Sequence, residues 1–488
     1  MTEKKKAGLF HSSSEKKRFD DNSSGASVTN PDNIEAYPSV KTQIAADDRR
    51  HDAVFGEITE KGPDYRNVGW LGATVLMIKS AFGLGVLSIP FVFQAVGIVP
   101  GIILIIVIEA IVTWSAWVLG EFKLAHRDTY SLADVGRTLG GRVGEEFFTL
   151  AVCICMLFFS GSGMVGVTTA LNAVSTHATC TAVWMVVVFV VSFAAASIRT
   201  LGNITWLGWV GLISILSAVL VMTISVGVQD RPYDAPKAPA PWDKDFKVVV
   251  PTTFANGISA VATILFAAAG TPTYFGIISE MRNPRLYKRA MLINQAFVTT
   301  VYIVIASVVY WYCGKYVTQP ALGSAGPLMK KIAYGLSIPG LFFSVFLWIH
   351  IPAKFIFVRL LRGSRHLNAN TPTHWATWVG LAFLGTTIAY IIASAIPILD
   401  SIISLVGALI APTLCIIPFG FMYLHLNVRY RRWSDLPLST KIGAIWACIV
   451  ILIGLFITVA GTYGAVVTII NQPGDGKPWS CADNSNSV

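Results

Sequence analysis

The sequence predicts an all-α integral membrane protein of about eleven transmembrane helices. Of its 488 residues, 54% are hydrophobic and only 13% are charged. The apolar residues form continuous runs of about twenty, the length that crosses a bilayer, rather than amphipathic stripes. Two of these runs, the first and the sixth, are interrupted at their centres. Because five helices precede the second interrupted run, the chain divides into two inverted halves of five helices, with one helix left over.

The eleven predicted spans follow one another with short connections. They cover roughly residues 68–92, 96–121, 147–174, 181–197, 206–228, 254–280, 289–313, 333–360, 374–396, 399–425 and 441–470. The corresponding regions are a disordered N-terminal tail (1–67), a first repeat (68–228), a proline-rich outer loop (229–253), a second repeat (254–425), an eleventh helix (426–470) and a C-terminal tail (471–488).

The charge distribution predicts the orientation of the chain. The polar N-terminal tail has no apolar stretch followed by a cleavage site, so we expect no signal peptide. With this tail inside, the inner connections hold about twice as many Lys and Arg residues as the outer ones. The net charge of +10 therefore sets membrane topology rather than indicating a nucleic-acid partner. We expect the N-terminus to be cytoplasmic and the C-terminus extracellular.

The interrupted runs predict a binding site made from main-chain groups. Unpaired backbone is tolerated at membrane depth only where it faces protein or a water-filled cavity. A broken helix exposes carbonyl groups that suit a cation at one end and N–H groups that suit an anion at the other. The predicted substrate-binding residues are Ser80, Ala81, Phe82, Gly83, Leu84 and Gly85 of the first run, and Phe266, Ala268, Ala269, Gly270, Thr271 and Pro272 of the sixth.

An α-amino acid has the charges that such a site requires. Its carboxylate would bind the N–H groups around 83–85, and its ammonium would bind carbonyls near Ala81, Ala268 and Ala269. Pro272 lacks the N–H that would continue the preceding helix. A carrier for large neutral side chains also needs apolar and aromatic walls, for which we select Phe159, Ser160, Ser344 and Trp348.

Two ionisable residues within the spans are candidates for ion coupling. Lys79 lies one turn before the first break, where its ammonium would replace a bound cation or titrate during transport; alternatively it extends to the cytoplasmic interface. Glu109 lies near the centre of the second span and requires a partner. We consider an ion pair with Lys79, or hydrogen bonds from the backbone of residues 270–273, and a proton-carrying role.

Other chemistry is not indicated. We find no metal-ligand spacing, no phosphate-binding loop and no nucleophile motif, so we expect neither an enzyme nor a cofactor or metal. Cys180, Cys313 and Cys481 are expected near one membrane face, either as free thiols or with a bridge between Cys180 and Cys481.

Two motifs resemble those of the amino acid/auxin permease family, within the amino acid-polyamine-organocation superfamily. Residues 83–90 read Gly-Leu-Gly-Val-Leu-Ser-Ile-Pro, and residues 280–284 read Glu-Met-Arg-Asn-Pro, which is similar to the family's Glu-Met-Lys-x-Pro. The resemblance covers residues 68–470 and implies a LeuT-like fold. It is strongest to fungal neutral and aromatic amino acid permeases of the methyltryptophan-resistance type, which implies proton symport at the plasma membrane. Sodium-coupled members place an asparagine where Lys79 stands, so the resemblance implies the proton as the coupling ion and no sodium site.

The resemblance leaves further alternatives open. Glu280 is either a cytoplasmic gate residue or a helix-end carboxylate that meets Arg282 or Arg285. A carrier of the same fold on the vacuolar membrane, or a non-transporting amino acid sensor, are the rival functions. The tail either is solvated disorder without such a role or carries ubiquitin and phosphate acceptors that ubiquitin-ligase or arrestin adaptors recognise, namely Lys4, Lys5, Lys6, Lys16, Lys17, Ser12, Ser13 and Ser14.

Overall fold

The computed structural model describes residues 51–52, 56–57, 68–198, 204–236, 239–361, 364, 366, 371–395, 399–471 and 478–485. The predicted adaptor-binding residues lie outside this set. Contacts divide the chain into Met1–Asp52 and Ala53–Val488. In the first unit the described element is the two-residue strand β1 (His51–Asp52). The second unit begins with the equally short β2 (Gly56–Glu57) and is otherwise helical in its described part.

The first half of the helical unit contains six helices. They are α1 (Trp70–Ala81), α2 (Leu84–Val96), α3 (Ile98–Ala125), α4 (Leu132–Ser175), α5 (Thr181–Ala196) and α6 (Ile204–Val228). The helices α1 and α2 form one span that bends by 50° at its break. Helix α4 begins about four turns before the predicted third span, and it kinks at Gly141, whose φ of 62° is in the left-handed region.

The second half and the last span contain ten helices. They are α7 (Phe254–Ala267), α8 (Tyr274–Glu280), α9 (Tyr287–Cys313), α10 (Pro327–Leu361), α11 (Pro372–Ala395), α12 (Leu399–Leu409), α13 (Ala411–Cys415), α14 (Ile417–Asn427), α15 (Leu438–Phe456) and α16 (Thr462–Asn471). A π-helical turn (Ile457–Gly461) joins the last two. Short 3₁₀ turns lie at Thr271–Thr273, Pro284–Leu286, Gly314–Tyr316, Ala321–Ser324 and Trp433–Asp435.

Each predicted span overlaps a helix or a bent pair of helices among the described residues. Eight stretches are long and apolar enough to cross a membrane, two bent pairs meet the same test when each pair is taken as one span, and Thr181–Ala196 is a shorter apolar helix. The tenth span was expected to be continuous, but it bends by 44° between Ile402–Leu409 and Ala411–Asn427. Pro412 and Pro418, which lie just after the two interruptions, lack the N–H donors of a continuous helix.

The helices pack in two groups. Helix α4 packs against α10 and α11, and α5 packs against α11. In the other group α2 packs along α7, while α1 and α3 pack against α9. The broken spans thus belong to one group, and the long helices α4 and α10 form the centre of the other.

A disulfide joins the C-terminal segment to the start of α5. Cys180 and Cys481 are bonded, so the structure contains the bridge that the sequence left open. The segment is also held by hydrogen bonds from Asn172 Nδ2 to Asn484 Oδ1 (2.8 Å) and from Lys330 Nζ to the Ser485 carbonyl (2.6 Å). These contacts place residues 481–485 over the ends of α4, α5 and α10 on one face of the molecule.

Candidate functional site

The two broken spans meet at their interruptions. A Cβ added at Gly85 would lie 2.6 Å from Cα of Ala267, and one added at Gly270 would lie 2.5 Å from Oγ of Ser80. Side chains at either glycine would therefore collide with the opposite span. The structure thus places the predicted residues Ser80 and Gly85 of the first span against Gly270 and Ala267 of the sixth.

At this meeting point the backbone exposes both N–H groups and carbonyl groups. Helix α2 begins at Leu84, its N-cap Gly83 supplies no side-chain bond, and its first N–H groups have no intrahelical partner. Ala268 and Ala269 lie beyond the end of α7, and no hydrogen bond to their carbonyls is found among the described residues. The residue four positions after Ala268 is Pro272, which has no N–H to donate.

A tyrosine on α9 corrects one part of the prediction. The hydroxyl of Tyr302 lies 3.0 Å from the Ala81 carbonyl and 3.1 Å from the Ala267 carbonyl. The Ala81 carbonyl, expected to bind an ammonium group, therefore already has a donor. The ring of the fully buried Phe82 packs against Tyr302, with centroids 5.9 Å apart. Sequence reasoning missed Tyr302, although its seven-residue spacing from Gln295 places both on one face of α9.

Lys79 is buried within the protein and does not extend to an interface. Its side chain is 5% exposed, and its Nζ donates to the Phe82 carbonyl (3.0 Å) and to Ser344 Oγ (2.8 Å). A longer contact of 3.5 Å reaches the Gly340 carbonyl on α10. The ammonium therefore joins the first break to the scaffold helix α10, at a point where oxygen ligands from both elements converge. The expected alternative, extension to the cytoplasmic interface, is wrong.

Glu109 has a partner that the sequence did not indicate. Gln295 Nε2 donates to Glu109 Oε2 at 2.5 Å, in place of the considered partners, Lys79 and the backbone of 270–273. Asn294 Nδ2 donates both to Gln295 Oε1 and to the hydroxyl of Tyr274, each at 3.1 Å. The other carboxyl oxygen of Glu109 is buried without a partner among the described residues. Burying an oxygen without a partner costs less free energy when the carboxyl group is protonated and neutral than when it is ionised.

Three aromatic side chains form a wall beside the second break. The Phe159 ring lies 5.0 Å from that of Phe266 and 5.1 Å from that of Trp348, centroid to centroid. The predicted wall residues Phe159 and Trp348 are thus brought together. The predicted Ser160 and Ser344 have other contacts: Ser160 Oγ donates to the Val345 carbonyl, and Ser344 Oγ accepts from Lys79. The hydroxyl of Thr271 is buried, with no partner among the described residues.

Glu280 ends α8 at the opposite side of the bundle from the disulfide. Its side chain is largely enclosed by protein, and the charge of Lys354 on α10 acts on its carboxyl group. Its carbonyl accepts a hydrogen bond from the Val68 N–H (3.1 Å), so the segment preceding α1 pairs with the end of α8. This hydrogen bond links the segment before the first broken span to the end of the second.

The described residues show no other centre of chemistry that competes with this site. Among them, no group of three His, Cys, Asp or Glu residues is arranged to hold a metal ion. A surface cavity of about 420 Å³ lies between the end of α6, the proline-rich loop and the end of α9. It includes Arg231, Trp242 and Trp311 in its lining and none of the predicted site residues.

Comparison with known proteins agrees with this architecture. Residues 66–467 match the family model described as transmembrane amino acid transporter protein. A transmembrane transporter of Gibberella moniliformis is 35% identical over 440 residues, which is 89% of this chain and 91% of the relative. The N amino acid transport system protein of Neurospora crassa is 30% identical over 466 residues, which is 93% of this chain and 97% of the relative.

Solved structures show the same fold at low sequence identity. The crystal structure of MhsT in complex with L-phenylalanine matches with a TM-score of 0.51 and 12% identity, over 84% of this chain and 99% of that one. Mhp1, a nucleobase-cation-symport-1 family transporter, matches with a TM-score of 0.53 and 13% identity, over 86% and 93% of the two chains. The predicted LeuT-like fold is confirmed. The chain belongs to the transmembrane amino acid transporter family, which is the amino acid/auxin permease family.

Proposed function

We propose that this protein imports neutral amino acids, including aromatic ones, by proton symport through alternating access. The observation that carries the proposal is the meeting of the uncapped start of α2 with the open carbonyls of Ala268 and Ala269. The two broken spans touch at Gly85 and Ala267. The N–H groups that suit an anion and the carbonyl groups that suit a cation therefore lie on adjacent segments. A zwitterion with both charges on one carbon satisfies the two sites together.

The aromatic wall (Phe159, Phe266 and Trp348) supports a neutral, bulky side chain on this zwitterion. Aromatic faces gain from apolar and ring contacts and offer no partner for a buried charge on the side chain of a substrate. An amino acid is also in the name of the Neurospora crassa relative.

The polar contacts support protons as the coupling ion. The ammonium of Lys79 already supplies the positive charge between Phe82 and α10, where oxygen atoms would otherwise attract a cation. Glu109 has one carboxyl oxygen held by Gln295 and one without a partner among the described residues, so it can exchange a proton without breaking an ion pair. Glu109 is our candidate carrier, and Lys79 the fixed charge.

Uptake into proteoliposomes tests this function. We expect labelled phenylalanine and leucine, but not lysine or glutamate, to accumulate under an imposed proton gradient without sodium. The Phe159→Ala variant should lose most phenylalanine uptake, whereas Phe147→Ala, which truncates a 53% exposed residue on the same helix, should not. Binding of these amino acids without uptake would favour the sensor, and no binding would exclude the proposed substrate class.

We infer a plasma-membrane location with the N-terminus in the cytoplasm. The excess of basic residues on the inner connections supports this orientation. The Cys180–Cys481 disulfide supports an oxidising compartment at the C-terminus. Accessibility of N- and C-terminal epitope tags in intact cells and in isolated vacuoles tests both points. A C-terminal tag reached only from within vacuoles would favour the vacuolar alternative.

We also propose that adaptors of ubiquitin ligases act on the N-terminal tail. The tail combines lysines with the serine run at Ser12–Ser14, which suits regulated ubiquitin attachment. Deletion of residues 1–50 should raise surface abundance while uptake per molecule stays constant. A nutrient response that disappears in this variant while uptake persists would instead support the sensor.

A further inference from the structure

Two carbonyl groups converge on one hydroxyl between the broken spans. The Ala81 carbonyl is at the end of α1, the Ala267 carbonyl is at the end of α7, and Tyr302 Oη lies 3.0 and 3.1 Å from them. Both acceptors sit at helix C-termini, where the partial charge is negative. Tyr302 is fully buried, so bulk water does not screen this concentration of negative potential.

A single hydroxyl proton cannot fully satisfy two acceptors. The proton must be shared, or it must alternate between the two carbonyls. Converging carbonyl oxygens at helix ends are the groups that coordinate monovalent cations in transporters built from broken helices. The hydroxyl of Tyr302 thus stands where the local chemistry would favour a cation.

We propose that Tyr302 closes a latent monovalent-cation site and thereby makes the carrier independent of sodium. The inference deepens the proposed function and rests on it for the transport readout. The proposed cation site is separate from the site of the Lys79 ammonium. Lys79 joins the first break to α10, whereas Tyr302 lies on α9 and joins the first break to the second. Shortening residue 302 would open space beside the two carbonyls that a sodium or lithium ion can enter.

Two substitutions and one matched control separate this role from packing. Tyr302→Ser keeps a hydroxyl but removes the ring, which leaves room for an ion, while Tyr302→Phe removes the donor and keeps the space filled. Tyr310→Phe is the control, because its hydroxyl bonds only to the backbone of Lys247 near the surface and it lies two turns further along α9. Uptake of phenylalanine is measured in sodium, lithium and choline chloride at one pH.

The proposal makes a separate prediction for the wild type and for each of the three variants. Wild type and Tyr310→Phe should be indifferent to the cation. Tyr302→Phe should lose roughly tenfold in uptake in every salt, because the Ala81 and Ala267 carbonyls lose the donor that they share. Tyr302→Ser should lose a similar factor in choline and regain at least half of the loss in sodium or lithium. Equal uptake by Tyr302→Ser in all salts, whether high or low, would overturn the proposal.

A measurement that does not depend on transport distinguishes failure of the cation-site proposal from failure of the proposed transport function. The melting temperature of purified Tyr302→Ser should rise with added sodium, and that of wild type should not, since an ion that binds only the folded state stabilises it. This shift is expected even if phenylalanine proves not to be the substrate. A folded Tyr302→Ser protein with no sodium-dependent shift would show that Tyr302 is only a structural hydrogen-bond donor.

Discussion

Replacement of Lys79 by methionine should abolish most uptake with little loss of folding stability. Methionine retains the unbranched apolar stem but not the ammonium, so the hydrogen bonds to the Phe82 carbonyl and Ser344 Oγ are lost. Ser344 keeps its own bond to the Gly340 carbonyl (3.0 Å), so it is not left without a partner. The main cost is therefore one buried carbonyl, that of Phe82, without a donor.

The magnitude follows from these contacts. An unsatisfied buried carbonyl costs about 1–3 kcal/mol. The lost hydrogen bond joins the first break to α10. We therefore expect its loss to destabilise the closed state of the carrier by about 2 kcal/mol, which corresponds to a roughly thirtyfold loss of uptake. Folding stability should change less, because removing a buried ammonium also removes its desolvation cost.

The assay is initial-rate uptake of phenylalanine into proteoliposomes, with melting temperature measured on the same preparation. Lys331→Met is the matched control, because this exposed lysine on α10 donates only to Thr176 Oγ1 and lies outside the site. Uptake by Lys79→Met within twofold of wild type would refute the reasoning. A large fall in melting temperature would show that Lys79 supports the fold rather than the cycle.

Three further predictions concern other parts of the structure. Gly85→Ala should destabilise the contact between the broken spans by about 1–3 kcal/mol, because its Cβ would lie 2.6 Å from Cα of Ala267; the melting temperature measures this. Glu109→Gln, which resembles a permanently protonated carboxyl, should remove the dependence of uptake on the proton gradient while exchange of bound substrate persists. Cys481→Ser should lower the melting temperature, since a disulfide contributes about 2–4 kcal/mol, whereas Cys448→Ser, at an exposed free thiol, should not.

The fold was predictable because the bilayer imposes a strong pattern on sequence. Apolar runs of membrane length gave the spans, and Gly-x-Gly and Gly-Thr-Pro gave the two breaks. The bend in the tenth span was missed, although Pro412 and Pro418 were visible in the sequence. Proline inside an apolar run is common in membrane helices, so it identifies a break only when a second half supplies a matching interruption.

The side-chain partners within the site were less predictable than its backbone. A break in a helix is a local property of its own sequence, but the donor that satisfies an exposed carbonyl comes from another helix at a rotation that packing determines. The sequence therefore indicated the carbonyls near Ala81 but not the hydroxyl of Tyr302. It likewise indicated that Glu109 needs a partner but not that Gln295 provides one.

Gln295 and Tyr302, the two partners that the sequence did not indicate, both lie on helix α9. Gln295 and Tyr302 lie on one face of α9, two turns apart, and they hold Glu109 on α3 and the ends of both broken spans. Protonation of Glu109 makes its carboxyl a weaker acceptor for Gln295, and we expect any resulting shift of α9 to reach Tyr302 on the same helix. If Glu109 carries the proton as we propose, proton binding is connected to the positions of the two breaks through this one helix.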